Sequence, residues 1–309
     1  MQTLAEVLPY PPSLIIKKLN SLYFTRMDRR EYNTQGTNVF AEDWDSLVVL
    51  DACRDDQFRA ANTLSGDIET KISRGSNTSE FLKANCDGRD LSDTVYVTAS
   101  PIYYYHRDDI DAEFHEVVNV WNEAGWHDDA KTVLPETTTR YALDAAQQYP
   151  NKRLLVHYIQ PHYPFIESDT EFDKKHLHDD AENQKSFWHE LNHGRLDISR
   201  RRLWDLFEEN LERALPHVEE LVGELDDRTV VTADHGNMFG ERARPIPHSF
   251  YGHPPKLYTD SLVRVPWLVQ QADERREIVS GESRANADAD GIDDETVSDR
   301  LADLGYVEM

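Results

Sequence analysis

The sequence predicts an α/β fold around a largely parallel sheet, flanked by helices. Short apolar runs recur along the chain, and each is bounded by polar or turn residues. Within these runs apolar residues are continuous rather than alternating, which is typical of strands buried on both faces. Helical patterns separate several of the runs, as expected when strands and helices alternate. The predicted strands are 46–52, 93–100, 153–160, 229–236 and 264–270.

Two stretches between the predicted strands have the apolar spacing of amphipathic helices. Residues 112–125 place Phe114, Val117, Val118 and Trp121 on one helical face. Residues 199–225 repeat apolar side chains at steps of three and four, and we expect Pro216 to kink or end that helix. A shorter helix is predicted close to the carboxyl terminus. Asp293 or Asp294 would cap it, and it would end near Gly305.

Composition and charge disfavour two classes of partner, nucleic acid and anionic membranes. The chain has 309 residues, with 58 acidic against 33 basic side chains and a net charge of −25. Such an acidic surface disfavours nucleic acid as a partner. It is typical of proteins that work in very salty cytoplasm, where screening makes the charge tolerable. With no transmembrane run and no secretory signal, we expect a cytoplasmic protein; the sequence does not indicate its oligomeric state.

Two predicted strands end on acidic residues, which suggests a metal site. Asp51 closes the run VVLDACRDD, and Asp234 and His235 close the run VVTADHG. Ligands in open α/β sheets collect at the carboxyl ends of the strands. Carboxylate and imidazole groups suit Mg²⁺, Mn²⁺ or Zn²⁺, and an oxygen-rich site also suits Ca²⁺. The sequence therefore predicts one divalent metal ion, held by Asp51, Asp234 and His235.

A hydroxyl-rich stretch, SRGSNTSEFLKANC (73–86), precedes a helical pattern and offers a candidate nucleophile. Ser76 or Thr78 would lie near exposed backbone N–H groups at a helix N-terminus, where anions bind. A metal could hold one of these hydroxyls in its reactive form. The alternative is an ordinary helix cap in which Ser76 or Thr78 caps and Glu80 completes the turn.

Two further polar clusters adjoin predicted strands. HYIQPHYPF contains His157 and His162, and YGHPPKLY contains His253 and Lys256. Single histidines are more often packed or surface residues than ligands, but these clusters could converge on the same edge of the sheet. A very polar loop, 172–180, also contains histidines.

Together these segments resemble the alkaline phosphatase superfamily, in particular its sulfatase-like branch and the phosphoglycerol transferases that build lipoteichoic acid. The matching order is VVLDACRDD, GSNTSEF, HYIQPHYPF, VVTADHGNMFGE and GHPPKLYTDSLVRVPWLV, over roughly residues 44–270. TADHGNMFGE followed by LYTDSLVRVP is the most specific part. The resemblance implies a mixed, mainly parallel sheet between helices.

The resemblance also implies roles for individual residues. Asp51, Asp234 and His235 correspond to metal ligands. Comparing RGSNTSEF with GKTSDSEF of the transferases places Ser76 on their nucleophilic threonine, and the sulfatase motif C-x-P-x-R also aligns its cysteine with Ser76. We therefore predict Ser76, rather than Thr78, as nucleophile and further metal ligand. His162, His253 and Lys256 correspond to groups that contact the ester.

This sequence lacks other features of that superfamily. Neither Cys53, Cys86 nor Ser76 stands in the C-x-P-x-R context that formylglycine formation needs, which turns the expectation from sulfate toward phosphate esters. Two-metal members need an Asp-x-x-x-His pair, and DKKH (173–176) has the wrong spacing. A second metal is therefore unsupported.

The sequence thus predicts a metal-dependent hydrolase or transferase that acts on a phosphoester, or less favourably a sulfate ester. The substrate would be a small molecule, a glycan or a lipid head group. His162 and His253 would act on the oxyanion or leaving group, and Arg54 and Thr78 would contact substrate, although Arg54 could equally pair with a neighbouring carboxylate. The alternatives are a two-metal sugar-phosphate mutase and a non-catalytic protein that binds anionic ligands.

The same interpretation divides the chain into three parts. Residues 1–43 form an N-terminal helical segment, and residues 44–270 form the sulfatase-like catalytic domain. Residues 271–309 form an acidic linker and the short C-terminal helix.

Overall fold

A seven-stranded mixed sheet forms the centre of the molecule in the computed structural model, which describes residues 12–26, 30–168, 187–272, 275–281 and 292–306. The strand order is β2-β11-β8-β1-β7-β3-β4. Strand β1 is parallel to its neighbours β7 and β8, and β3 is parallel to β4 and β7. Strand β11 is antiparallel to both of its neighbours, β8 and β2. The predicted mixed, mainly parallel α/β sheet is confirmed.

The sheet strands are β1 (Ser46–Asp51), β2 (Asp67–Ile72), β3 (Arg89–Thr98), β4 (Ala112–Asn119), β7 (Arg153–Pro161), β8 (Thr229–Ala233) and β11 (Arg264–Gln270). Two small hairpins pair β5 (Trp126–His127) with β6 (Thr132–Val133) and β9 (Met238–Ala243) with β10 (His248–Gly252). The helices are α1 (Pro12–Thr25), α2 (Asp55–Ala61), α3 (Thr78–Cys86), α4 (Ile102–Tyr105), α5 (Pro135–Gln148), α6 (Phe187–Asn192), α7 (Arg200–Leu225), α8 (Asp260–Val263) and α9 (Asp294–Asp303).

The core lies on both faces of the central strands. Leu47 to Leu50 of β1 are fully buried, as their continuous apolar run requires. Helix α7 packs its apolar stripe against α5 and β7 and continues through Pro216, so that proline does not end the helix. Tertiary packing of Leu211, Leu215 and Val218, all almost fully buried, accounts for this continuation.

The helix predicted at 112–125 is wrong. Residues Ala112–Asn119 form edge strand β4, which pairs with β3. Over so short a stretch the apolar spacing fits the period of a helix as well as that of a strand. The β-branched Val117 and Val118 favour the strand, which is stabilised by backbone hydrogen bonds to β3. Strand β2 was not predicted because an edge strand with one partner keeps polar residues along its length.

Helices α1 and α9 lie within the N-terminal and C-terminal segments expected from the sequence, and Asp293 is the N-cap of α9. The domain boundaries themselves stay predictions. Cys53 and Cys86 are both buried free thiols. Each of the helices described is too short or too polar to cross a bilayer.

A candidate metal centre at the end of the central strands

The central strands bring the predicted metal ligands together. Asp51 is the last residue of β1, and Asp234 directly follows β8, its parallel neighbour. Because parallel strands end at the same edge of a sheet, both carboxylates lie at that edge, with His235 beside them. One ligand atom from each of the three residues lies within 4.8 Å of the others, and all three side chains are fully buried.

The donor atoms of this cluster are close enough to share one cation. His235 Nε2 lies 3.2 Å from Asp234 Oδ2 and 3.6 Å from Asp51 Oδ1. Both of these carboxylate oxygens are buried without a hydrogen-bond partner among the described residues. Unpaired buried polar atoms are rare, because each costs free energy unless an ion or water satisfies it.

Asp234 and His235 each make hydrogen bonds through their second polar atom. These bonds orient the atom that remains free for a metal. Asp234 Oδ1 accepts from the backbone N–H groups of Ala52 at 3.0 Å and His235 at 2.8 Å. His235 Nδ1 donates to the carbonyl of Gly236 at 2.8 Å, which leaves Nε2 as the nitrogen available to a metal. The residues therefore fit a divalent cation: two carboxylate oxygens and one imidazole nitrogen converge on one point.

The electrostatics of the cluster also favour a cation. Burial, with the negative charge of Asp234 nearby, raises the pKa of Asp51 well above its usual value. Burial disfavours the charged form of His235, yet the carboxylates of Asp234 and Asp51 raise its pKa to about 9. In the metal-free protein the cluster therefore retains a proton, whose positive charge offsets that of the carboxylates.

The backbone at the site is unusual in two places. Ala52 has a φ of +60°, a left-handed conformation that non-glycine residues seldom adopt, and its N–H donates to Asp234 Oδ1. A Cβ on Gly236 would lie 2.2 Å from the carbonyl oxygen of Ser261. Only glycine fits there, which explains the glycine in the TADHG run.

Thr78, rather than Ser76, contacts the cluster of predicted metal ligands. Thr78 Oγ1 lies 3.3 Å from His235 Nε2. Ser76 Oγ instead donates to Glu80 Oε2 at 3.0 Å and lies 3.2 Å from the carbonyl oxygen of Pro254. The role of Ser76 as nucleophile and metal ligand stays a prediction; of the two hydroxyls, it is that of the alternative, Thr78, that contacts His235.

The helix cap explains this placement. Asn77, which the sequence analysis did not consider, is the N-cap of α3, and its side chain accepts from the N–H of Glu80 at 2.9 Å. Thr78 is therefore the first helical residue. Glu80 accepts from the N–H of Ser76 at 3.0 Å, so Ser76 belongs to the capping interaction.

His162 and His253 form a buried pair beside the cluster. Their Nε2 atoms lie 2.9 Å apart, and the His253 ring lies 4.7 Å from that of His235. His162 Nδ1 donates to the carbonyl of Tyr163 at 2.7 Å, so its Nε2 accepts the proton of His253 Nε2. Burial lowers the pKa of His162 to about 4 and that of His253 well below its usual value. Both rings are therefore neutral near pH 7, and His253 Nδ1 keeps a lone pair with no partner among the described residues.

Both residues predicted to make basic contacts bond to carboxylates of this chain, Arg54 through its side chain and Lys256 through its backbone. Arg54 pairs with Asp56 at 2.7 Å and Glu241 at 2.8 Å, and its guanidinium lies over the rings of Trp204 and Phe239. For Arg54, pairing with a neighbouring carboxylate is the alternative to substrate contact that the sequence left open. Lys256 is tied to helix α3 by its backbone N–H, which donates to Glu80 Oε1 at 2.8 Å. Substrate contact by either side chain stays a prediction.

Sequence reasoning assigned no role to two residues that the structure places at the site. His157 Nε2 lies 3.7 Å from Asp234 Oδ2, on strand β7 next to β1. The sequence does contain a signal for this residue, because His157 lies within one of the predicted strands. The Tyr306 hydroxyl donates to Asp51 Oδ2, and nothing in the sequence near the carboxyl terminus indicates that contact. The 172–180 loop and DKKH lie outside the described residues.

A cavity of about 110 Å³ adjoins the histidine pair. Trp188, Asn192, Tyr251 and His253 line it, and Lys17 of α1 closes one side. The Trp188 indole N–H is buried and has no acceptor among the residues described. The cavity therefore has an aromatic wall, and two of the residues that line it carry a polar atom with no partner among the described residues: Trp188 Nε1, a donor, and His253 Nδ1, an acceptor.

Comparisons with known proteins return solved structures only; no protein-family model and no curated protein matches. The periplasmic domain of phosphoethanolamine transferase EptC from Campylobacter jejuni is 14% identical, with a TM-score of 0.48 over 74% of this chain and 78% of that one. The soluble domain of lipooligosaccharide phosphoethanolamine transferase A from Neisseria meningitidis is 12% identical, with a TM-score of 0.46 over 84% of this chain and 86% of that one.

The integral membrane form of the Neisseria meningitidis enzyme is 15% identical, with a TM-score of 0.49 over 85% of this chain and 55% of that one. These likenesses are distant, and the chemistry of the site depends on the residues of this chain.

Proposed function

We propose that this chain is a metal-dependent hydrolase or transferase of phosphoesters, with Thr78 as its nucleophile. The position of the Thr78 hydroxyl supports this proposal most strongly. It lies 3.3 Å from a metal-ligand nitrogen, at the first residue of a helix whose N-terminus faces the cluster. A hydroxyl, a cation site and exposed helix N–H groups together are what phosphoryl transfer requires.

Asp51, Asp234 and His235 would hold the divalent cation. When bound, it would lower the pKa of the Thr78 hydroxyl and offset negative charge on the substrate's phosphoryl oxygens. His235 Nδ1 is fixed by the Gly236 carbonyl, and Asp234 Oδ1 is fixed by two backbone N–H groups. The ligand atoms of Asp234 and His235 are therefore oriented before substrate arrives.

In the proposed reaction the Thr78 oxygen forms a bond to phosphorus as the ester P–O bond breaks. Thr78 loses one proton, and the departing alkoxide takes up one. The phosphoryl group then passes from Thr78 to water or to an alcohol, which regenerates the threonine. Because His253 Nδ1 keeps a free lone pair, it can accept a hydrogen bond from that water or alcohol.

The cavity beside His253 would take the organic part of the ester or the acceptor. A hydroxyl group on the bound molecule could satisfy both unpaired atoms, since it can donate to His253 Nδ1 and accept from Trp188 Nε1. A head group or glycan with hydroxyl substituents fits this chemistry. Phosphate is favoured over sulfate because Thr78 cannot be converted to formylglycine.

A metal-reconstituted ester screen tests the proposal. The chelator-treated protein is supplied in turn with Mn²⁺, Mg²⁺, Ca²⁺ or Zn²⁺ and assayed on aryl phosphomonoesters, phosphodiesters and sulfate esters, with glycerol as acceptor. We expect turnover of a phosphoester that depends on added metal and is lost in Asp234→Asn. Arg59→Gln, which removes a partly exposed ion pair with Asp55, is the matched control.

Four other outcomes would contradict the proposal. Metal-independent turnover would exclude this cluster, and faster turnover of sulfate esters would change the substrate class. Metal binding without turnover of any ester would favour a protein that only binds anionic ligands. A stoichiometry near two metal ions per chain would favour the two-metal mutase.

A further inference from the structure

The C-terminal segment reaches the metal centre. Helix α9 packs Val297, Leu301 and Leu304 into the main core. The chain then reverses at Gly305, whose φ is +78°, and the N–H of Tyr306 donates to the carbonyl of Leu301 at 2.9 Å. This reversal directs the Tyr306 side chain inward, where only 7% of the residue is exposed.

Tyr306 contacts two functional groups at once. Its hydroxyl donates to Asp51 Oδ2, whereas Asp51 Oδ1 is the oxygen that lies 3.6 Å from His235 Nε2. Its ring stacks on His162 with centroids 5.0 Å apart and an interplanar angle of 8°. A tyrosine 255 positions distant in sequence from Asp51 therefore contacts both the metal cluster and the histidine pair.

We propose that Tyr306 is a positioning residue that completes the metal site from the carboxyl terminus. The proposal rests on the proposed function only in requiring that Asp51 bind a metal. Asp51 has two oxygens, and the phenol engages Oδ2 while Oδ1 stays unpaired beside His235. The hydrogen bond therefore selects which oxygen is presented to the cation and restrains the rotation of the carboxylate.

The stacked ring has a separate consequence. His162 makes hydrogen bonds through both nitrogens, but its ring plane is held by the parallel face of Tyr306. A phenylalanine at position 306 would keep that face and lose the hydroxyl. Packing alone would therefore survive Tyr306→Phe, whereas orientation of Asp51 would not.

The test titrates Mn²⁺ into the chelator-treated full chain and measures its dissociation constant by calorimetry. Tyr306→Phe is compared with Tyr158→Phe, which also removes a buried tyrosine hydroxyl, bonded to Thr139 Oγ1 at 2.7 Å away from the cluster. We expect Mn²⁺ to bind roughly 10- to 100-fold more weakly to Tyr306→Phe, the usual effect of losing a hydrogen bond to a ligand. Tyr158→Phe should match the parent.

Each other result has a distinct meaning. Equal Mn²⁺ affinity in the parent and Tyr306→Phe would overturn the positioning role and leave the metal site intact. Equal weakening in both variants would show a general stability effect and would also overturn it. No saturable Mn²⁺ binding by the parent would overturn the metal site and the positioning role together.

Tyr306→Leu separates the ring from the hydroxyl. It should weaken Mn²⁺ binding as Tyr306→Phe does and, at saturating Mn²⁺, lower kcat further because His162 loses its stacking partner. If kcat at saturating metal is the same in the leucine and phenylalanine variants, the ring has no positioning role.

Discussion

Raising the pH of the metal-free protein from 6.5 to 9 should lower its free energy of unfolding, because His235 loses a proton that the folded state binds tightly. Burial opposes the charge on His235, but Asp234 and Asp51 raise its pKa to about 9, against about 6.5 when unfolded. A group with a raised folded pKa contributes its full stabilisation below the unfolded pKa. That contribution is lost as the pH rises through the folded pKa.

The size of the effect follows from the shift. Each unit of pKa difference corresponds to about 1.4 kcal/mol, so the loss reaches about 3 kcal/mol by pH 9. The free energy of unfolding of an ordinary domain is about 5–15 kcal/mol, and it falls with urea concentration by up to about 3 kcal/mol per M. The midpoint of urea unfolding should therefore fall by about 1 M across this range. The depressed pKa values of His157, His162 and His253 affect stability only below pH 6.5.

Urea unfolding at half-unit steps from pH 6 to 9.5, in the presence of chelator, measures the effect. His235→Gln is the control and should make the slope shallower. Saturating metal should remove it, since cation binding requires the unprotonated imidazole and becomes stronger as the pH rises. A flat profile in the parent, or the same slope in His235→Gln, would refute the coupling between His235 and the two carboxylates.

Three further changes have defined outcomes. Asp234→Asn should lose bound metal by elemental analysis after dialysis, because it removes a ligand charge; full retention of metal would contradict the ligand set. Leu211→Ala, in the fully buried stripe of α7, should lower the free energy of unfolding by about 2–5 kcal/mol without changing Mn²⁺ affinity; a smaller loss would mean that the helix repacks. Lowering the pH from 6.5 to 4 should destabilise the protein because His157 and His162, with pKa values of about 4, stay neutral when folded; His157→Gln should reduce that acid sensitivity, and an unchanged profile would contradict it.

The strand ends were predictable from the sequence for a physical reason. A strand buried on both faces has a continuous apolar run, and an acidic residue at its end stands out. The hydropathy pattern alone therefore locates Asp51 and Asp234. Strands with only one neighbour, such as β4 and β2, lack that signature and were wrongly assigned or not predicted.

The choice between Ser76 and Thr78 depended on geometry that spacing does not encode. The two residues lie on either side of Asn77, and the identity of the N-cap decides which hydroxyl faces the cluster. Asn77 occupies that position because its side chain bonds to the Glu80 N–H. Tyr306 was beyond prediction for another reason: its contact depends on how α9 docks, which no local pattern reports.

Turnover of the Ser76→Ala and Thr78→Ala variants tests the central claim most directly. Both residues are buried hydroxyls at the start of α3, so the pair controls for loss of a hydroxyl group at that place. With saturating metal and the best phosphoester from the screen, Thr78→Ala should lose at least about 1,000-fold in kcat, as expected when a nucleophile is removed. Ser76→Ala should stay within about 10-fold of the parent. The reverse order would restore Ser76 as the nucleophile and contradict the proposed mechanism.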